Sequence, residues 1–333
     1  MERQWNDKIL RVERTGFTRL ALEIFGFQYN NNPVYREYCD ALGIRNELVT
    51  EIHHIPFLPI RFFKSQEVKT GLFDPQVIFE SSGTTGSVNS QHFVRDASLY
   101  EASFVDGFES MYGPLRDWCI IGLLPSYLER QQSSLVYMVN EMIRRSTHPH
   151  SGFYLDEFAA LSAVLRQTEA QGQPTLLIGV TFALLDFAVA FPQHLRHTVI
   201  METGGMKGRR REITRNEVHA ILEKAFDTAA IHSEYGMTEL LSQAYSKGQG
   251  LFQSPPWMRV GVRDETDPFD LKGFDGIETR PVTGAINVID LANVHSCSFI
   301  ATDDAGRIHR DGKFEVLGRM DNSDVRGCSL LVI

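Results

Sequence analysis

Glu80-Ser81-Ser82-Gly83-Thr84-Thr85-Gly86-Ser87 packs seven consecutive small or hydroxylated residues, Ser81 to Ser87, into one turn after the apolar run Val77-Ile78-Phe79. Such a turn can wrap backbone N–H groups and hydroxyls around phosphate oxygens with no bulky side chain in the way. It is not a Walker A loop, because the lysine of that pattern is missing. Taken alone, a turn of this composition is more often a solvated loop than a nucleotide site.

Three further segments follow in order. Ser233-Glu234-Tyr235-Gly236-Met237-Thr238-Glu239 sets an aromatic, a glycine, a hydroxyl and a carboxylate within five residues, Tyr235 to Glu239. At a strand-to-helix junction, where the pattern places them, these groups can stack a base, bond a phosphate and hold Mg²⁺. Ala301-Thr302-Asp303-Asp304 offers carboxylates for ribose hydroxyls, and Leu317-Gly318-Arg319-Met320-Asp321 adds a guanidinium.

These segments need elements to carry them. Short apolar runs at Val77–Phe79, Cys119–Leu124, Thr175–Val180, Thr198–Met201 and Ala229–His232 read as buried strands. Leu155–Gln171 and Glu212–Phe226 have helical periodicity, the second with Thr214 and Glu217 as a capping box. Strands and helices in alternation predict an α/β layer fold with a largely parallel sheet. Residues 1–70 read as an N-terminal helical segment, ending in the proline-broken Ile55–Ile60, and 71–250 as the α/β core. Residues 251–318 turn to Gly, Pro and short alternating strands, a smaller β-rich subdomain, and 319–333 form a short tail.

Composition narrows the classes. At 333 residues, with 43% hydrophobic and 23% charged residues, the chain is an ordinary globular protein with enough length for subdomains. A net charge of -9 argues against nucleic-acid or anionic-membrane partners, which require a surplus of Lys and Arg; Lys207-Gly208-Arg209-Arg210-Arg211 is a local exception. MERQWNDKIL has no apolar signal core and no stretch reaches about 18 apolar residues, so a cytoplasmic location without a membrane span is expected. Cys39, Cys119, Cys297 and Cys328 contain no CxxC pair and suggest neither a disulfide framework nor a zinc site. The first three sit in apolar or helical surroundings and read as small core residues. His53-His54 and His194/His197 lack a clustered Asp or Cys and read as surface or hydrogen-bonded histidines, while Tyr127 and Glu129 fit either a plain loop or an acyl-pocket wall.

Together the Ser-Gly-Thr-Thr-Gly turn, Tyr-Gly-x-Thr-Glu, Thr-x-Asp and Gly-Arg-x-Asp resemble the adenylate-forming superfamily of acyl-CoA synthetases, peptide-synthetase adenylation domains and luciferases. The resemblance runs from about Ile55 onward and implies the large N-terminal part of such an enzyme, with layered α/β subdomains and a smaller β subdomain. It implies ATP and Mg²⁺ as cofactors and a carboxylic acid as substrate. Ser81, Ser82, Gly83, Thr84, Thr85 and Gly86 would embrace the phosphates, and Gly204 and Gly205 would pass by the adenine. Tyr235 would stack on the base beside Gly236, Thr238 would bond the α-phosphate and Glu239 would ligate Mg²⁺. Asp304 would hold the ribose hydroxyls with Arg319 next to it.

Two departures narrow the group. Ser87-Val88-Asn89-Ser90-Gln91-His92 carries no lysine where the family's loop has one, and twelve residues follow Asp321 where members carry a lid of roughly 100 residues with a catalytic lysine. The lid domain is therefore expected to be absent. Ile55-Pro56-Phe57-Leu58-Pro59, Glu202 to Arg209 and Arg326-Gly327-Cys328-Ser329-Leu330 look like the acyl-protein synthetases of bacterial bioluminescence, the long-chain-fatty-acid–luciferin-component ligases. Members of that group activate a fatty acid, move it to a cysteine near the C-terminus and deliver it to a reductase partner. Cys328 takes the matching place, and the positive charge of Arg326 beside it would favour the thiolate; the plain alternative is a small apolar residue at a strand end. Lys207 lies close to the adenine-side glycines and would stand in for the lid lysine, against a plain reading as a surface lysine. The expected activity is acyl-adenylate formation followed by transfer to a thiol of a protein acceptor, a reductase or carrier, or of coenzyme A. The rival readings are an acyl- or aryl-CoA ligase similar to phenylacetate–CoA ligase and a non-catalytic nucleotide or acyl binder.

Overall fold

The computed structural model describes residues 2–81, 88–124, 132–155, 157–204, 213–264, 266–274 and 280–320. Two compact units emerge: one from Met1–Gly107, Met237–Gln243 and Gln253–Ile333, the other from Phe108–Gly236 and Ala244–Phe252. The chain leaves the first, builds the second, and returns.

The first unit begins with helices α1 (Glu2–Leu10), α2 (Phe17–Asn31) and α3 (Pro33–Ala41). Asn32 ends α2 and caps α3, its side chain accepting from Tyr35 N–H at 3.0 Å, with Pro33 in the first turn where a missing N–H costs nothing. Tyr35, Phe25 and Phe57 pack against Phe299. Within the proline-broken stretch β1 (Leu58–Pro59) adds a parallel strand beside Phe299–Ile308, with Leu58 opposite Ile300. The short helix α4 (Phe62–Ser65) follows, then an antiparallel hairpin of β2 (Val77–Glu80) and β3 (Gln91–Val94), and α5 (Ala97–Tyr112).

The second unit holds the parallel sheet expected from the sequence. β4 (Cys119–Leu123) pairs with β5 (Gly152–Phe153) and β6 (Thr175–Gly179), β6 with β7 (Thr198–Glu202), and β7 with β8 (His232–Tyr235), all parallel. β4 and β6 are buried at every position, which their continuous apolar runs require when helices cover both faces. Helices α6 (Ser134–Ser146), α7 (Phe158–Ala170), α8 (Thr181–Ala190) and α9 (Arg215–Phe226) are the connections. Thr214 and Glu217 form the expected capping box at the start of α9. β9 (Ala244–Ser246) adds antiparallel to β8, and β10 (Leu251–Gln253) follows.

Back in the first unit, β11 (Met258–Arg263), β12 (Leu271–Lys272), β13 (Val282–Asp290), β14 (Phe299–Ile308) and β15 (Phe314–Arg319) form an antiparallel sheet in the order β12-β11-β13-β14-β15. This is the β-rich texture expected after residue 250. The layered α/β fold is thus present in both halves of its description, parallel core and smaller β part. No helix among the described residues is long and apolar enough to cross a membrane.

One expectation fails. Ala229–His232 is not the strand; β8 runs Val-free from His232 to Tyr235, so Ser233, Glu234 and Tyr235 are themselves strand residues. Nor does a helix follow, because Thr238 and Glu239 sit in a turn and the chain passes directly to β9. There the N–H groups of Leu241 and Ser242 donate to the Asp290 carboxylate at 2.8 and 3.0 Å, not to carbonyls of a helical turn.

Candidate functional site

The residues singled out by sequence divide between the two units. In the first are Ser81, Thr238, Glu239, Asp304 and Arg319; in the second are Gly204, Tyr235 and Gly236. Ser82, Gly83, Thr84, Thr85, Gly86, Gly205, Lys207 and Cys328, with Tyr127 and Glu129, lie outside the described residues.

In the first unit Ser81 closes the base of the hairpin turn. Its N–H donates to Ser90 O at 3.0 Å and its Oγ accepts from Ser90 N–H at 2.8 Å. Ser90 also donates toward Glu239, so one serine ties the glycine-rich turn to the carboxylate of the Thr-Glu motif. Thr238 is held by its carbonyl, which accepts from Nδ1–H of His92 at 2.8 Å. His92 is fully buried; burial drops its pKa to about 4 and keeps the imidazole neutral, and its Nε2 has no partner among the described residues. Asn293 Nδ2 donates to Glu239 O at 2.7 Å. Asp290 anchors the same turn from below through Leu241, Ser242 and Ala292 N–H groups and Ser242 Oγ–H, with Trp257 Nε1–H on Ser242 and Ser103 hydroxyls. Burial pushes Asp290 up to about 6 despite these donors.

Glu239 differs from Asp290. It is 5% exposed, and burial raises its carboxyl above the usual range against Ser90 and the charges of Arg319 and Lys64. A carboxyl on which burial outweighs the hydrogen bonds and charges around it is one that a bound cation would stabilise as the anion. Mg²⁺ takes one or two protein carboxylates plus substrate phosphate oxygens, so Glu239 fits that role without the clusters of three acidic or histidine ligands, which are absent among the described residues.

Asp304 and Arg319 are opposite one another across β14 and β15, with Nε to Oδ1 at 3.8 Å. Asp304 N–H donates to Thr302 Oγ1 at 3.2 Å, which fixes the strand beside the carboxylate. Strand alternation turns Asp303 to the other face, where it meets Arg61 at 3.5 Å.

In the second unit Gly204 follows β7 with φ of +73°, a left-handed conformation that a glycine adopts without strain. Its N–H donates to Glu202 Oε2 at 2.7 Å. Glu202 is 4% exposed, also accepts from Thr181 Oγ1, and faces Arg215 and His219 at 3.4 and 3.7 Å. Burial alone would raise this carboxyl; His219, Arg215, Ser233 and the Gly204 N–H together pull it down to about 2. Tyr235 is buried at the end of β8 with its ring edge-on to Phe252 at 5.9 Å. Glu234, one residue earlier, is pushed up to about 8 by burial and by the charge of Glu202.

Sequence reasoning missed Ser90, His92, Asp290, Asn293, Glu202 as a shared acceptor, and Arg215. Only the capping box before Arg215 gave a local signal. Cys39, Cys119 and Cys297 are buried and unpaired, and burial pushes their thiols up, to about 12 at Cys39 and about 11 at Cys119. They are the inert core residues expected. His53 is half-buried and His54 exposed, His194 pairs with Asp227 at 2.6 Å, and His197 is exposed.

A sequence model described as "Acyl-protein synthetase, LuxE" matches residues 13–333. A long-chain-fatty-acid–luciferin-component ligase of Vibrio harveyi is 22% identical over 353 residues, covering 98% of this chain and 89% of that protein. One of the same description from Aliivibrio fischeri is 23% identical, covering 94% and 86%. Among solved structures, ATP-bound MatB of Rhodopseudomonas palustris superposes with a TM-score of 0.52 at 17% identity, covering 73% of this chain. The chain spans 47% of that structure's length, and the likeness is one of fold. A match across nearly the whole chain is the decisive finding: the protein belongs to the acyl-protein synthetase family.

Proposed function

We propose that this family member, an ATP-dependent acyl ligase, activates a long-chain fatty acid as its adenylate and then passes the acyl group to a thiol, first to Cys328 and from there to an acceptor protein. The observation that carries the reading is the Thr238–Glu239 turn. A buried carboxyl, raised by that burial, sits on a segment fixed by His92, Asn293 and Asp290, and Ser90, which faces it, is bonded to Ser81 at the base of the glycine-rich turn.

In the first step a carboxylate oxygen attacks the α-phosphorus of ATP. The new acyl–phosphate bond forms as the α–β phosphoanhydride bond breaks, and pyrophosphate leaves. Glu239 would hold Mg²⁺ as the carboxylate, and the ion would supply positive charge to the phosphate oxygens when bound. Thr238 would bond the α-phosphate; Ser81 to Gly86 would wrap the departing pyrophosphate; Asp304, steadied by Arg319, would accept the ribose hydroxyls. Gly204, Gly205, Tyr235 and Gly236 would flank the base, and Lys207 would supply the positive charge that the loop after Ser87 lacks. In the second step the Cys328 thiolate attacks the acyl carbon, the acyl–oxygen bond breaks, and AMP leaves with the electron pair. Rigid positioning and fixed dipoles, rather than covalent chemistry by the turn itself, would supply most of the acceleration in the first step.

The test is ATP–pyrophosphate exchange across a panel of carboxylic acids, followed by intact-mass measurement after incubation with ATP and the best acid. The reading expects exchange that depends on a long-chain acid and an acyl adduct that disappears in Cys328→Ser. Exchange with an adduct that persists in Cys328→Ser would remove the cysteine from the pathway and leave activation intact.

A further inference from the structure

Arg215 is not among the residues implied by the resemblance, yet its partners Glu202 and Phe252 each touch one of the residues read above as flanking the base, Gly204 and Tyr235. It is the first residue of α9, and the Thr214–Glu217 capping box fixes the backbone from which its side chain departs. Its Nε lies 3.4 Å from Glu202 Oε1, while the other oxygen of the same carboxylate accepts the Gly204 N–H at 2.7 Å. Its guanidinium lies over the Phe252 ring at 5.3 Å from the centroid, and that ring meets Tyr235 edge-on at 5.9 Å and 61°. Gly250, with φ of +66°, runs its backbone against the arginine stem: a Cβ there would lie 3.5 Å from Cδ and Nη1. The contacts form one series, Gly204 to Glu202 to Arg215 to Phe252 to Tyr235, within a single compact unit.

We propose that Arg215 is a positioning residue for nucleotide recognition: through Glu202 it sets the turn at Gly204, and through Phe252 it sets the ring of Tyr235, so that the two present one slot to a purine base. A planar guanidinium is suited to this, because it pairs with a carboxylate through its edge while stacking on an aromatic ring through its face. Lysine keeps the charge and loses the stack. Arg215 itself touches neither phosphate nor acid in this scheme. The proposal rests on the reading that Gly204 and Tyr235 flank the base.

The experiment is calorimetric binding of Mg²⁺-ATP and of base-less ribose 5-triphosphate to the wild type and to Arg215→Ala, Arg215→Lys and Phe252→Leu, with thermal midpoints recorded alongside. Arg215→Ala is expected to weaken ATP about tenfold and to leave ribose 5-triphosphate within about twofold. Arg215→Lys and Phe252→Leu, which spare the Glu202 pairing, are expected to lose about three- to fivefold for ATP alone. Unchanged ATP affinity, or equal losses for ATP and the base-less compound, overturns the proposal, since a general collapse of the unit would not distinguish them. Should Arg215→Ala not fold, the lysine and leucine variants decide on the same criterion. The outcome is separable from the functional reading: exchange activity with a silent Arg215 overturns the positioning role alone, whereas absent exchange with base-selective losses overturns the reaction and keeps the slot.

Discussion

Glu202 and Glu239 are buried to almost the same degree, at 4% and 5% exposure, yet one is pulled down to about 2 and the other is raised. Glu202 meets a guanidinium, an imidazole, a hydroxyl and two N–H or O–H donors from its own unit, so its charge is fully matched by protein. Glu239 has Ser90, its own backbone N–H and the charges of Arg319 and Lys64, and burial outweighs them. Burial therefore does not mark a ligand site; the balance of donors around the buried group does. On the proposed reading Glu202 belongs to the scaffold that shapes the site, and Glu239 is the carboxyl offered to the cation.

That contrast can be broken from either side. Glu202→Ala leaves Arg215 and His219 without their anion and should cost about 3–5 kcal/mol of stability, read by urea unfolding; a loss below about 1 kcal/mol would place Glu202 with ordinary surface carboxylates. Glu239→Gln keeps shape and the Ser90 contact, so the fold should persist while acid-dependent exchange drops by roughly 10²- to 10³-fold.

The pH dependence of stability separates them again. Glu202 has a folded pKa depressed from 4.5 to about 2, so its contribution is present above pH 4.5 and is lost as pH falls toward 2. That amounts to about 3 kcal/mol, and Glu202→Gln should flatten this part of the acid unfolding curve. Asp290→Asn puts an amide N–H against donors that now point at carboxylate, and should cost about 1–3 kcal/mol while raising the exchange KM for ATP through the loosened Thr238–Glu239 turn. The smallest effect belongs to the Asp304–Arg319 pair, where Arg319 is 75% exposed. A double-mutant cycle on stability should give about 0.2–1 kcal/mol, even though Asp304→Ala would weaken nucleotide binding far more than Arg319→Ala.

Much of this is legible in the sequence. The alternation of buried runs and helical segments fixed the parallel sheet, because continuous apolar strands have to be covered on both faces. The capping box at Thr214 and Glu217 announced the start of α9 through local chemistry. The order of the four motifs identified the chemistry that family membership bears out. What stayed hidden depends on contacts distant in sequence. Asp290 reaches back 49 residues to Leu241, and His92 meets Thr238 across 146. Nothing in the residues around Glu239 says that the neighbouring N–H groups of Leu241 and Ser242 go to an aspartate on β13. Arg215 escaped notice for the same reason: within its own helix it is only a capping-box neighbour, and its significance comes from Phe252 and Glu202.

The most direct test of the account is ATP–pyrophosphate exchange by the full chain with Mg²⁺, with and without a long-chain fatty acid. The account predicts exchange that appears only with the acid and falls at least a hundredfold in Glu239→Gln. Exchange absent at every acid concentration, or equal in the wild type and Glu239→Gln, would contradict it.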